Sequence, residues 1–318
     1  MSTDNPPLVR VLWLGAMLVC LLLLGSSTQP PAQMETNVLA GVIDFHCHTA
    51  PDAIPRSVND LDLVRRAKAA GMRGIVLKNH YTMTADRAEL AMQEVGGIEV
   101  FGGIVLNRSV GGLNAEAVRR MVQFEGQRGK VVWLPTVDAE NVVGHAPDHR
   151  PFVSVVKDGK AVPELGEIFQ LAAQNDLVLE TGHSSPEESL VLIAAARDAG
   201  VKKIVVTHAM GMGANIDQLK SMADLGAVIE CVWLNYIPKP DATNGSAKPI
   251  SVAKCVDAIQ TVGAEHFIIS SDLGQERYPL HTDGLRAFLT ALKAGGLNDG
   301  QIDLIARKNP ARLLGLDP

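Results

Sequence analysis

The feature that most constrains the fold is a pattern repeated eight times after residue 37, in which an apolar run of strand length is followed by a segment of helical periodicity. This alternation is typical of βα units and a parallel sheet. It predicts an α/β fold, a (β/α)8 TIM-type barrel over residues 41–318. An open doubly wound sheet is the alternative, although no Gly-x-Gly-x-x-Gly follows the first run. The predicted strands are Gly41–His48, Gly74–His80, Ile98–Leu106, Lys130–Asp138, Leu177–His183, Lys203–His208, Ala227–Leu234 and His266–Asp272.

Helices are predicted near Leu61–Ala70, 285–294 and 301–315. Another should begin at Ser185-Pro186, where an N-cap residue precedes a proline and two acids. Residues 141–165 interrupt the alternation with polar and turn residues. We interpret them as a loop inserted after strand four, with a hairpin that turns at Lys157–Lys160.

Metal-ligating side chains end four of the predicted strands. His46 and His48 end strand one, His183 ends strand five, His208 ends strand six and Asp272 ends strand eight. Residues two apart on a strand share a face, and barrel enzymes build their sites at the carboxyl ends of the strands. We therefore expect a divalent metal site with one or two ions, zinc being favoured and manganese, iron and cobalt remaining open.

This ligand pattern resembles the amidohydrolase superfamily of metal-dependent hydrolases on (β/α)8 barrels. The closing Asn309–Leu316, which reads Asn-Pro-Ala-Arg-Leu-Leu-Gly-Leu, is also similar to a helix common in that superfamily. Within it the chain looks most like an uncharacterised amidohydrolase-like group that carries segments similar to His48–Asp52 and Gly74–His80. The likeness covers roughly residues 41 to 316.

One departure leaves the number of metals open. Binuclear members of the superfamily bridge their metals with a carboxylated lysine or a glutamate at the end of strand four, where this chain has Pro135–Asp138. Lys78 on strand two, which has the parity of His80, and Asp138 are the two candidate substitutes. An ion pair with a neighbour such as Glu180 is the other interpretation of Lys78.

The resemblance implies hydrolysis of an amide, lactone or ester bond in a small molecule by a metal-activated water. Asp272 would move the proton, and His183 or Lys78 would polarise the carbonyl. A decarboxylase or other lyase, a metallophosphoesterase and a non-catalytic binding barrel are the alternatives. Further candidates for substrate contact or support of the ligands are His80, Asp52, Asp138, Arg56 and Asn107, with Arg108, His145 and Arg150 on neighbouring loops.

Composition and the first residues bear on partners and location. The net charge of -6 argues against a nucleic-acid partner, and the aromatic content of 4% argues against a large stacked ligand. Residues 1–27 contain a short apolar run after Arg10 and are interpreted as a signal peptide or an uncleaved membrane anchor, with 28–40 as a linker. An artefact of start-site choice is the third interpretation. We therefore expect an exported protein, periplasmic or extracellular, with homo-oligomerisation left open.

Overall fold

Eight parallel strands form the central sheet of this computed structural model, which describes residues 37–144, 150–240 and 248–317. Strands that follow one another in the chain are also neighbours in the sheet. Each lies within its predicted run or within one residue of it, but the hydrogen-bonded ladders stop before most of the polar residues that end the runs. We number the strands β1 (Ile43–His48), β2 (Gly74–Lys78), β3 (Glu99–Val105), β4 (Gly129–Trp133), β5 (Val178–Glu180), β6 (Lys203–Val206), β7 (Val228–Val232) and β8 (Phe267–Ser270).

The sheet closes on itself between its first and last strands. The backbone N–H of Asp272 donates to His46 O, and that of His48 donates to Leu273 O, both at 2.9 Å. A parallel bridge between Cys47 and Leu273 continues the same seam. These contacts confirm the (β/α)8 barrel and exclude the open doubly wound sheet.

Helices surround the barrel, and their starts follow from local capping. Ser185 and Glu188 form a capping box with Pro186 at the first turn, so the predicted start of that helix is confirmed. The main helices are Asp60–Ala69, Ala85–Val95, Ala115–Gln123, Leu165–Gln174, Pro186–Asp198, Ile216–Asp224, Val252–Val262 and His281–Ala294, and the chain closes with Asp299–Asp303, a π-helical turn at Leu304–Lys308, and Asn309–Leu314.

The insertion after β4 contains the predicted hairpin. A short helix, Glu140–Val143, is followed by two antiparallel strands, Val156–Lys157 and Lys160–Ala161, which turn at Asp158-Gly159. His145 lies outside the described residues, as do the predicted signal segment 1–27 and most of the linker 28–40. In the part of the chain that is described, no helix combines the length and apolar character needed to cross a membrane.

The barrel interior changes from apolar to polar along the strands. One inward-facing set is apolar and packs against the closing helix Asn309–Leu314. Two residues further along, the same faces carry buried polar groups. The apolar set includes Val76, Val178, Val205, Val228 and Ile268, and the polar set that follows is Lys78, Glu180, Thr207, Glu230 and Ser270.

Candidate metal centre

Three histidines converge on Asp272 at the carboxyl ends of the strands. Asp272 Oδ1 lies 3.1 Å from His46 Nε2 and 3.1 Å from His48 Nε2, and Asp272 Oδ2 lies 3.5 Å from His208 Nε2. Burial opposes ionisation of Asp272, but His46 and His208 outweigh it and lower the pKa of the carboxyl well below its usual range. Asp272 is therefore a carboxylate at neutral pH.

A β-bulge turns the first two histidines into the barrel. Phe45 belongs to the inner apolar cluster, so an uninterrupted strand would direct His46 outward. The register between β1 and β2 shifts between Asp44 and Cys47, which brings His46 and His48 to the inside and leaves Cys47 in the outer core. Asp44 Oδ1 accepts hydrogen bonds from the N–H groups of His46 (3.3 Å) and Ser271 (2.9 Å), and burial raises the pKa of Asp44 to about 6.

His208 and Asp272 both occupy left-handed backbone conformations, with φ of 48° and 53°. A residue other than glycine held there stores on the order of 1–3 kcal/mol of strain, which the surrounding structure has to offset. Both residues come just after their strands end, at the point where the chain turns away from the barrel. The strain therefore falls at the centre of the cluster.

His46 is held between an acid and an amine. Its Nδ1 lies 3.3 and 3.4 Å from the two oxygens of Glu230, and its Nε2 lies 3.0 Å from Lys78 Nζ. Burial and Lys78 disfavour a charged ring, but Asp272 and Glu230 outweigh them and raise the pKa of His46 to about 9. The buried carboxylates thus demand positive charge at this point, from a proton or from a metal cation.

Lys78 and Glu180 complete the floor of the cluster. Burial lowers the pKa of Lys78, whose Nζ also lies 5.2 Å from the centre of the Trp133 ring. Burial, together with Glu230, raises the pKa of Glu180 to about 8, and its carboxyl accepts a 2.8 Å hydrogen bond from the Thr207 hydroxyl. Lys78 faces the cluster, as its parity with His80 predicts, and contacts His46 directly.

His48 has different neighbours. Arg56 Nη2 lies 3.3 Å from His48 Nδ1, and Arg56 Nε donates a 2.7 Å hydrogen bond to Asp52 Oδ2. The side chains of Arg56 and Asp52 are both buried. Burial lowers the pKa of His48 to about 3. Of the predicted rim residues, Arg56 therefore touches a candidate ligand.

His183 and His208 form a second pair, with ring centres 5.1 Å apart. Burial lowers the pKa of His208 to about 4 and that of His183 well below its usual range, so both rings are neutral. In the described structure neither Nε2 atom has a hydrogen-bond partner, although both are buried. A buried nitrogen without a partner is costly, and a bound ligand would remove that cost.

The remaining predicted residues take other places. Asn107 is fully buried and bonds to the His80–Thr136 pair, while Asp138 accepts a 2.9 Å hydrogen bond from the backbone N–H of Arg108. Among the described contacts, Asp138 has none to a histidine of the cluster. Arg150 donates to the backbone carbonyl of Val137 on the loop.

Within residues 37–144, 150–240 and 248–317, the donor atoms form two groups that could hold a metal ion. One is His46, His48 and Asp272, and the other is His46, His208 and Glu230, with ligand atoms within 4.8 Å of one another in each. Glu230 and Asp44 were not among the residues predicted from sequence. A carboxylate two residues after an inward-facing valine, as in Val178-x-Glu180, was the signal in Val228-x-Glu230 that could have found Glu230.

Residues 41–230 match a sequence family described as a family of unknown function, DUF6282. The chain belongs to DUF6282. No curated protein matches this DUF6282 chain. Solved structures similar to it share its fold, all at low identity.

Two enzymes and one engineered enzyme template are examples of these structures. The organophosphorus hydrolase from Deinococcus radiodurans aligns with a TM-score of 0.58 at 15% identity, covering 88% of this chain and 94% of that one. A promiscuous lactonase template engineered for organophosphate hydrolysis gives 0.59 at 16% identity, covering 88% and 97%. The 2,6-dihydroxybenzoate decarboxylase from Rhizobium gives 0.52 at 14% identity, covering 87% and 99%.

Proposed function

We propose that this DUF6282 protein is a metal-dependent hydrolase of the amidohydrolase superfamily, which cleaves an amide, lactone or ester bond in a small molecule. The observation that carries the proposal is the convergence of His46, His48 and His208 on the ionised Asp272 at the catalytic end of the barrel. The fold likeness to hydrolases and to a lactonase template supports it.

The donor set fits a divalent metal. Neutral imidazoles and carboxylates suit zinc, manganese, iron and cobalt, and zinc is our first choice. The buried Nε2 atoms of His183 and His208 make no hydrogen bond among the described residues, and Glu230 stands behind His46 as a carboxylate that orients a ligand ring. The proposed ligands are His46, His48, His183, His208 and Asp272, with Lys78 as a further ligand if two ions bind.

A divalent ion bound there would supply Lewis acidity, which acidifies a water and polarises a carbonyl. Asp272 then accepts a proton from the attacking water, whose oxygen bonds to the carbonyl carbon. As the bond to the leaving group breaks, Asp272 returns the proton to the departing oxygen or nitrogen. His183, whose ring centre lies 5.1 Å from that of His208, helps to hold the carbonyl oxygen.

Metal content and turnover test this proposal together. We expect one or two ions in the purified protein, measured by elemental analysis, and hydrolysis of p-nitrophenyl acetate, dihydrocoumarin or p-nitroacetanilide. Asp272→Asn should lower kcat by about 10²- to 10⁴-fold because it removes the proton acceptor. A protein that holds no metal would contradict the proposal.

Lys78→Ala, measured in parallel, decides the number of ions. If the wild-type protein binds two ions and the variant binds one or none, Lys78 is a bridging ligand. If both proteins bind one ion, the centre is mononuclear. A decarboxylase is the second candidate, since one of the similar folds carries that activity. Release of carbon dioxide from 2,6-dihydroxybenzoate, without hydrolysis of the other probes, would favour it.

The location and partners of the protein are also proposals. We infer an exported protein with a small-molecule substrate from the apolar run within residues 1–27 and the acidic composition. Fractionation of the native host, with detection of the mature amino terminus by mass spectrometry, tests export. An intact terminus in the cytoplasmic fraction would contradict it.

A further inference from the structure

A chain of three polar side chains stands beside the metal centre. His80 Nδ1 and Thr136 Oγ1 are 2.9 Å apart, and Asn107 Nδ2 donates a 2.9 Å hydrogen bond to the same hydroxyl oxygen. The ring centre of His80 lies 4.7 Å from that of His48 and 6.3 Å from that of His183. His80 therefore borders the space between two of the proposed ligands.

The backbone fixes the orientation of the Asn107 amide. Its Oδ1 accepts hydrogen bonds from the N–H groups of Thr136 (2.8 Å) and Asp138 (3.3 Å). Its Nδ2 donates to the carbonyl oxygen of His80 at 2.9 Å. In the flipped orientation the amide NH2 group would face the N–H groups of Thr136 and Asp138, and the amide oxygen would face the carbonyl oxygen of His80. Asn107 must therefore act as a donor to the Thr136 hydroxyl.

The hydrogen bond from Asn107 to Thr136 determines which nitrogen of His80 carries the proton. The Thr136 oxygen already accepts from Asn107, so its one hydrogen needs an acceptor. His80 Nδ1 is the acceptor that the described residues offer within hydrogen-bond reach. A buried hydroxyl hydrogen without a partner costs more than one that is bonded. The neutral His80 ring thus accepts at Nδ1 and carries its proton on Nε2.

We propose that His80 Nε2–H donates a hydrogen bond to the carbonyl oxygen of the substrate, and that Thr136 and Asn107 set this tautomer. No hydrogen bond to His80 Nε2 is made within the described residues, so the donor is available to a ligand beside His48 and His183. The inference rests on the proposed function and adds to it an oxyanion donor supplied by the protein. A fixed donor of this kind stabilises the charge that develops on the oxygen.

Imidazole ¹⁵N spectra of the zinc-loaded protein test the tautomer without any turnover. With His80 assigned by its loss in His80→Gln, we expect a protonated Nε2 and an accepting Nδ1. Thr136→Val should shift His80 toward the other tautomer, and Thr136→Ser, which keeps the hydroxyl, should restore it. A protonated Nδ1 in the wild-type protein, or an unchanged spectrum in Thr136→Val, would overturn the inference.

Ligand binding and kinetics test the donor itself. Phenylphosphonate, an anionic mimic of the tetrahedral state, should bind about 10- to 100-fold more weakly to His80→Leu. With p-nitrophenyl acetate, His80→Leu should lose about 10²- to 10³-fold in kcat with little change in KM, while His80→Gln, which keeps an N–H donor, loses less. Metal content should stay at the wild-type value in both variants.

The two proposals fail in different ways. Wild-type protein that turns over none of the probes, yet shows the Nε2 tautomer and binds phenylphosphonate through His80, would refute the hydrolase and keep the donor. If His80→Leu keeps the kcat and the phenylphosphonate affinity of the wild-type protein, the donor is refuted and the hydrolase proposal stands.

Discussion

The two histidines of β1 lie two residues apart, yet the groups behind them have opposite charge. His46 Nδ1 faces the carboxylate of Glu230, while His48 Nδ1 faces the guanidinium of Arg56. Glu230 can only accept, so His46 carries a proton on Nδ1, and Nε2, which faces Asp272, is the atom that would ligate a metal in place of a second proton. Arg56 can only donate, so His48 accepts at Nδ1 and carries its proton on Nε2, where it donates to Asp272.

This difference shows that ligand spacing does not by itself define a ligand. A metal-binding histidine usually donates its other N–H to a carboxylate or a carbonyl, which is the arrangement of His46. His48 can bind a metal through Nε2 only after Arg56 releases Nδ1. The deep half of the cluster, His46 with Glu230, therefore has the hydrogen-bond arrangement of a metal ligand, and the outer half, His48 with Arg56, does not.

The largest expected effect is on metal content, when the imidazole of each half is removed in a separate variant. We expect His46→Ala to lose nearly all bound metal, because the ligand shared by both donor groups disappears. His48→Ala should retain more of it, since His46, His208 and Asp272 remain in contact with one another. Elemental analysis after dialysis against a weak chelator provides the comparison. Equal metal loss in the two variants would remove the distinction drawn here.

A smaller effect is expected from the acid behind His46. Glu230→Gln should weaken metal affinity by about 10- to 100-fold, because the amide no longer fixes the proton on Nδ1. Glu180→Gln is a matched control, as it is equally buried and bonds to Thr207 instead of His46. Competition with a zinc-binding dye gives both affinities. A loss as large in Glu180→Gln would mean that any change in the buried polar groups below the cluster weakens metal binding, and that the orientation of His46 is not the cause.

Sequence patterns predict the barrel well because its eight strands and their polar ends are local features. Alternation along β1 correctly places His46 and His48 on one face. It does not reveal the β-bulge next to Phe45, which turns this face toward the barrel interior. The bulge depends on the pairing of β1 with β2 and on the hydrogen bond that Asp44 accepts from the backbone N–H of Ser271, a residue far along the chain. The ends of the strands are also overestimated, since an extended loop and a hydrogen-bonded strand look alike in sequence.

The partners of the ligands are harder to predict than the ligands. Glu230 shares the parity of Glu180 and could have been found by aligning the strands. The contact between Arg56 and His48 could not, because it depends on how the loop after β1 folds back. An antiparallel bridge between Arg56 and Gln275, and a hydrogen bond from Ser57 N to Gly274 O, hold that loop against the segment after β8.

The smallest expected effect is a gain in metal affinity when Arg56 in this loop is replaced. Arg56→Gln removes a cation beside the centre and can present a carbonyl oxygen to Nδ1–H, so that His48 Nε2 becomes free to ligate. We expect metal affinity to rise, by up to about tenfold. Arg108→Gln, at an exposed arginine on a neighbouring loop, is the control and should leave the affinity unchanged. Weaker binding in Arg56→Gln would show that the guanidinium supports His48 as a ligand, because the pair of Arg56 with Asp52 would then be needed to hold the ring in place.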